Sequence, residues 1–381
     1  MRLQLTLALL LVGGGVARAD DPNMLAFDTL VYSDTDNVLV VSPQASARRA
    51  LDDDGGAASA RVVVDVISAA SVDVVSQATN GFTEVRREAD LAASHRIASF
   101  LPELRYRYSD EPDYRSHGLG ASLARDFADH DTTLALSYDI SLDTVGRTGT
   151  AYAAWSRDLT THTAEASWTQ VLGVHTVGRV AYSLVVQDGY LEKPYRYVPL
   201  FDPATLEMLD AEGMTLDADN VASYRLPERP PEEVPDRRLR HAVALRGVQL
   251  LPGIGALEGD YRFYLDSWGM QAHTADATLK LPIGRYRLDI EDRLHWQGPV
   301  DFWRRAYTVD AAGEVPEWRT MDRDLGGYLQ DTLQVRGQLE LPSLSLTVYA
   351  LGGAMVTRFS DYLFLDWRLA LVGQTGLRWR F

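Results

Sequence analysis

Between residues 365 and 381 the chain sorts its side chains by parity. Leu365, Trp367, Leu369, Leu371, Leu377, Trp379 and Phe381 fall on one side, and Asp366, Arg368, Gln374, Arg378 and Arg380 on the other. A strand sends successive side chains to opposite faces, so the pattern predicts a strand with one apolar and one charged face. Aromatic residues sit towards both ends of the apolar face, where two membrane interfaces would lie. Other segments repeat the alternation. Leu134, Leu136, Tyr138, Ile140 and Leu142 interleave with polar residues, as do Leu257, Tyr261, Phe263 and Leu265, and Tyr286, Leu288, Ile290, Leu294 and Trp296. Asp292 and Asp331 break it by falling on the apolar face, and residues 158–190 alternate weakly.

Short turns at 52–56, 99–102, 128–131, 172–175, 251–255, 281–284 and 341–343 intersperse with longer polar connections at 71–83, 109–116, 143–157, 191–236 and 299–323. Placing strands between them gives 24–33, 37–49, 58–70, 83–97, 101–109, 115–128, 131–143, 158–171, 174–190, 237–251, 254–266, 269–282, 284–298, 324–341, 343–358 and 365–381. The expected fold is all-β: a single transmembrane antiparallel up-and-down β-barrel of about 16 strands, an even number as in bacterial single-chain barrels. A soluble β-sandwich also alternates. Its outer face seldom needs charges as dense as Arg285-x-Arg287-x-Asp289-x-Glu291-x-Arg293, and strands of about 13 residues exceed the usual five or six of globular sheets.

The N-terminus adds an address. Arg2, the apolar run 3–12 and Ala17-Arg18-Ala19 read as a signal peptide with cleavage after Ala19, leaving residues 20–381 as the barrel. The formal net charge is −16, and loss of the two basic residues Arg2 and Arg18 takes it to −18. That balance opposes nucleic-acid binding. There are no cysteines, which excludes disulfides, thiolate metal sites and cysteine catalysis. The expected location is the outer membrane of a Gram-negative-type bacterial cell, with lipid as the surrounding partner. Gln374, Gly376, Trp379 and Phe381 resemble the C-terminal signature through which barrel-assembly machinery recognises such strands.

Several segments resemble an uncharacterised outer-membrane family, domain of unknown function 3570. They are Val64-Asp65-Val66-Ile67-Ser68-Ala69-Ala70-Ser71-Val72-Asp73-Val74-Val75, Tyr106-Arg107-Tyr108-Ser109-Asp110-Glu111-Pro112-Asp113-Tyr114 and Tyr261-Arg262-Phe263-Tyr264-Leu265-Asp266-Ser267-Trp268-Gly269. Pro194-Tyr195-Arg196-Tyr197-Val198 and Arg238-Leu239-Arg240-His241-Ala242-Val243 fit the same resemblance. It implies fold and location and leaves activity open.

The face opposite the lipid is the candidate site. Asp139, Arg285, Arg287, Asp289, Glu291, Arg293, Arg336, Glu340 and Arg378 would line the lumen. There they either set a field that selects solutes or pair across strands and fill the interior. The acidic 191–236 segment, stiffened by Pro227-Glu228-Arg229-Pro230-Pro231, reads as a solvated loop, with an inward constriction or a cap as the other reading. Asp110-Glu111-x-Asp113 and Asp52-Asp53-Asp54 offer hard oxygen ligands but read as solvated tips. His95, His117, His175 and His295 fall near strand ends or on polar faces without HExxH spacing, so no metal or cofactor is expected. Ser267 with His273 and Ser167 with His162 are near in sequence only, and no enzyme activity is expected. A pore or transporter for small solutes is the leading reading. A non-conducting barrel that anchors or binds through its external loops is the alternative. Small-residue faces at Ala275-x-Ala277 and Ala350-x-Gly352-x-Ala354 hint at contact between copies.

Overall fold

The structure, a computed structural model, describes residues 23–52, 55–69, 82–309 and 313–381. The expected signal peptide, Asp53 and Asp54, and most of the 71–83 connection lie outside the described residues. Eighteen strands occur in the order β1 (Met24–Asp34), β2 (Val38–Ala50), β3 (Ala57–Ala69), β4 (Phe82–Ser94), β5 (Phe100–Glu111), β6 (Tyr114–Phe127), β7 (Thr132–Val145), β8 (Arg157–Gly173) and β9 (Thr176–Gly189), then β10 (Leu200–Phe201), β11 (Arg237–Leu251), β12 (Gly255–Asp266), β13 (Gln271–Ile283), β14 (Tyr286–Gln297), β15 (Tyr307–Thr308), β16 (Tyr328–Leu341), β17 (Leu346–Phe359) and β18 (Trp367–Arg380). All but β10 and β15 form one closed antiparallel barrel of 16 strands, in which each strand neighbours the next and β1 closes onto β18. Closure leaves no unpaired edge, the condition for strands to cross a bilayer. The closing register runs from Met24 opposite Arg380 to Asp34 opposite Ala370.

The tight β1–β2 turn shows how local chemistry sets an end. Asp34 Oδ1 accepts from the backbone N–H of Asp36 at 3.0 Å and of Val38 at 2.9 Å. Asn37 takes φ 58°, a left-handed conformation that Asn tolerates well. One expected connection is corrected. Residues 109–116 are no long loop, because β5 runs to Glu111 and β6 begins at Tyr114. Their polarity reflects a charged inner face and a proline at the turn, so polarity alone misplaced the strand ends.

Parity assigns the two faces of the wall. Val62, Leu91, Leu104, Leu119, Leu136, Leu245, Leu333 and Leu371 point outward and are exposed. Outward aromatics form two sets. Phe100, Phe127, Trp168, Tyr286, Trp379 and Phe381 lie towards the short-turn end, and Tyr106, Tyr138, Tyr182, Tyr261, Trp296 and Trp367 further towards the long-loop end. Apolar surface between two aromatic girdles is the exterior of a membrane barrel. Four of these tyrosines share a hydrogen bond with a histidine on the next strand. Tyr106 pairs with His117 at 2.9 Å, and Tyr138 with His162, Tyr182 with His241 and Tyr261 with His273 at 2.7 Å. His117 thus belongs to the outer, apolar face. No helix among the described residues is long and apolar enough to cross a membrane.

Candidate functional site

The inner face carries a network of ion pairs, most of them between neighbouring strands, with Arg105 of β5 reaching across β6 to β7 and Arg287 pairing within β14. Arg61 bridges Glu88 at 2.7 Å and Asp90 at 3.0 Å, and Arg107 meets Asp90 at 2.8 Å. Arg105 reaches Asp139 at 3.0 Å, Arg179 reaches Glu165 at 3.2 Å, and Arg246 reaches Asp260 at 2.6 Å. Arg293 lies 3.6 Å from Asp276, and Arg287 bonds Asp289 at 2.8 Å. Most of these groups keep water contact: Arg105 is 36% exposed and Asp139 40%.

The structure places Asp139, Arg287, Asp289, Glu291, Arg293, Arg336 and Arg378 on this inner wall. Glu340 lies there too, exposed near the short-turn end. Arg285 sits in the turn before β14, its guanidinium 5.4 Å from the Tyr286 ring. The wall is uneven. Arg336 and Arg378 make no ion pair among the described residues. Arg336 stands opposite Asp289 in register, and Arg378 lies 6.0 Å from the Tyr349 ring. Nearer the long-loop end, inward residues of β1, β2 and β18 form a dry apolar patch of Tyr32, Val38, Val40 and Ala370, each at most 5% exposed, beside the buried pair Arg368–Asp34.

The long segment 190–236 and the described residues 298–309 and 313–327 fold over one mouth. This corrects the solvated-loop reading of 191–236. Asp202 caps α1 (Pro203–Ala211) by accepting from Ala204 N–H at 2.9 Å, and Pro203 occupies the first turn, where its missing N–H costs nothing. A second, single-turn helix, α2 (Val221–Tyr224), follows. Strands β10 and β15 pair in parallel and join the two segments. Val198, Leu200, Phe201, Leu209, Val221, Tyr307, Met321 and Leu363 make one apolar core. Val234, Trp268, Val300, Trp303, Phe359 and Tyr362 make a second, with Tyr264 and Tyr328 of the wall packed against it. Segments with this much apolar side chain bury it because burial removes it from water, at about 25 cal/mol per Å².

Around these cores runs a buried polar network. Lys193 pairs with Asp322 at 2.5 Å, Arg196 lies 3.4 Å from Asp322, and Thr320 Oγ1 donates to Glu232 at 2.5 Å. Arg319 pairs with Glu233 at 2.6 Å. Burial would raise the Asp322 carboxyl, but the charges of Arg196 and Lys193 outweigh it and hold Asp322 well below the usual carboxylate range. Burial pushes Glu232 up, against the opposing pull of Arg196. Burial also drives the Tyr307 hydroxyl up to about 12. It donates to Phe302 O at 2.6 Å and accepts from Thr320 N–H at 2.7 Å.

The cap is tied to widely separated points of the rim. Arg323 meets Asp36 of the β1–β2 turn at 2.5 Å, both nearly dry. Tyr195 Oη accepts from Thr148 N–H in the β7–β8 loop, and Gln297 of β14 donates to the carbonyls of Asp324 at 3.0 Å and Gly326 at 2.7 Å. Arg305 reaches Asp361 of the β17–β18 loop at 3.0 Å. Sequence reasoning missed Asp36, Lys193, Arg196, Glu232, Asp322 and Arg323. The readable signal was the density of Val300, Phe302, Trp303 and Tyr307 in a segment taken as polar.

The other candidates fall as follows. Glu84, Glu111 and Asp113 bring carboxylate oxygens within 4.8 Å of one another, a donor set suited to a hard cation. Asp110 is not among them, since alternation turns it outward, where it accepts from Arg115 at 3.2 Å. Neither serine meets its histidine. Ser167 and His162 lie on opposite faces, and Ser267 Oγ accepts from Leu239 N–H at 3.0 Å. In the last strand Gln374 donates to Asp28 at 2.6 Å, and a side chain on Gly376 would come within 2.7 Å of the Tyr349 ring that crosses it. Trp379 stacks on Phe381 with ring centroids 4.9 Å apart.

No curated protein matches the chain. Among solved structures it is similar to a bacterial polysaccharide outer membrane secretin (TM-score 0.48, 10% identity, 95% of this chain and 100% of that one). It is also similar to OccAB1 of Acinetobacter baumannii (TM-score 0.47, 9% identity, 94% and 96%). A third is a loop-deletion mutant of OmpT, an outer membrane protein of Vibrio cholerae (TM-score 0.36, 9% identity, 94% and 98%). Residues 76–376 match the model of a family described as "Protein of unknown function (DUF3570)". With a closed 16-strand barrel and a family match over most of its length, the chain belongs to the DUF3570 family.

Proposed function

We propose that the chain is an outer-membrane pore for small solutes whose mouth is controlled by the folded cap. The observation that carries this reading is the inner wall of partly exposed ion pairs. A barrel of 16 strands is wide enough to enclose an aqueous lumen, and charges retained there stay hydrated. In this reading the chain is exported with a cleaved signal peptide and inserts through its C-terminal strand. The short-turn end, which holds both ends of the barrel, faces the periplasm, and the cap faces outward. Arg336 and Arg378, which make no ion pair among the described residues, bias the lumen towards anions. Planar-bilayer recordings test the proposal. Channels are expected, and their absence at any voltage, in both the native protein and a cap-released variant, would sink it.

One observation favours the second reading, a binding barrel that does not conduct. Trp268, Phe302, Tyr307 and Trp318, with Asp301, Arg304 and Glu317, border a cleft of about 670 Å³ in the cap. Ligand-dependent quenching of Trp318 without any conductance would favour it over the pore.

A further inference from the structure

The outer face of β14, β16 and β17 carries three charges at positions where a lipid-facing wall favours apolar residues. Asp292 lies on β14 between outward-facing Trp296 towards one end and Tyr286 towards the other, so it falls between the two aromatic girdles. Asp331 on β16 stands opposite Leu294 and Val356 in register, diagonal to Asp292, which stands opposite Leu333. Arg358 on β17 stands opposite Leu329, two residues further towards the long-loop end. All three side chains are exposed, and none makes an ion pair among the described residues. Carboxylates against hydrocarbon are costly, and ionisable groups at membrane depth normally face protein or water.

We infer that this face is an interface with a second copy of the chain. Charge complementarity identifies the occupant. A twofold axis along the membrane normal preserves depth, and an axis passing between β16 and β17 brings Asp331 of one copy opposite Arg358 of the other, twice. The patch is complementary to itself, and the length of the arginine side chain covers the two-residue offset. Small residues allow the walls to approach. Ala277 stands beside Asp292, and Ala350, Gly352 and Ala354 line the outer face of β17. The interface is independent of what the lumen conducts.

Because the chain has no cysteine, crosslinking tests this cleanly. Ala354→Cys, near the proposed axis, is expected to form disulfide-linked dimers in intact membranes under mild oxidation. Ala121→Cys, outward-facing on β6 across the barrel, is expected to remain monomeric. Adding Arg358→Glu to Ala354→Cys is expected to reduce crosslinking to the Ala121→Cys level, and combining it with Asp331→Arg is expected to restore it. Folding of each variant is checked by its mobility shift on heating in detergent. A folded Ala354→Cys protein that yields no dimer, links to a different protein, or crosslinks no more than Ala121→Cys would overturn the inference.

Discussion

The barrel wall and the cap use ion pairs in opposite ways. In the wall, Arg105 and Asp139 meet while 36% and 40% exposed, whereas in the cap Arg196 and Asp322 meet while 5% and 4% exposed. Half-exposed pairs contribute little to stability, with a typical value below about 1 kcal/mol. The wall does not depend on them, because a closed hydrogen-bonded barrel with an apolar exterior already holds it. A buried pair is different: removing one partner strands the other and costs about 3–5 kcal/mol. The wall is thus a robust frame that does not rely on its charges for stability. The cap is a sensitive element whose folded form depends on its charges.

The largest expected effect breaks the wall. Gly376→Val drives a side chain into the Tyr349 ring at the closing strand, where overpacking costs about 1–3 kcal/mol. Folded barrel, scored by heat-modifiable mobility, is expected to fall sharply. An unchanged yield would show that the β17–β18 seam tolerates what its geometry forbids.

Acidification should separate the two regions next. Asp322 titrates below its unfolded value of about 3.9, so its contribution is fully present above that value and is lost as pH falls from there through its lowered folded value. Glu232 has the opposite sign: raised by burial, it contributes fully below its unfolded value of about 4.3 and loses that contribution as pH rises through its raised value. Proteolytic cutting within 190–236 is expected to accelerate below about pH 4 while the barrel stays intact. Asp322→Asn should flatten that acid response and Glu232→Gln should steepen it. A response equally steep in Asp322→Asn would remove Asp322 from the account.

The smallest effect concerns selectivity. Arg336→Gln with Arg378→Gln removes two wall charges without an ion-pair partner, and the reversal potential in a salt gradient is expected to move towards cation preference by a few millivolts to a few tens. Neutralising the paired Arg105 together with Asp139 should move it less. The reverse order would contradict the distinction between paired and unpaired wall charges.

How legible each region was follows from the same contrast. The wall obeys a period of two, so parity alone placed Arg287, Asp289, Glu291 and Arg293 inside and Leu294 and Trp296 outside. The misfit of Asp292 and Asp331 was visible for the same reason. Parity also explains why Glu111 joins Glu84 and Asp113 while Asp110 does not, since adjacent residues of a strand cannot converge on one ion. The cap has no period. Its core joins Val198, Leu209, Tyr307 and Leu363, brought together only by long chain reversals. The pair Arg323–Asp36 spans nearly the whole barrel sequence. Asp202-Pro203 before an apolar run was a readable helix start, but nothing local announced the buried charges that lock the two segments together.

The most direct test of the account is single-channel recording of the native protein beside Arg323→Ala, which removes the Arg323–Asp36 pair that ties the cap to the β1–β2 rim. The account predicts a folded barrel in both, with conductance or open time several-fold higher in Arg323→Ala. Identical currents, or silence from both proteins at every voltage, would contradict a water-filled lumen closed by its cap.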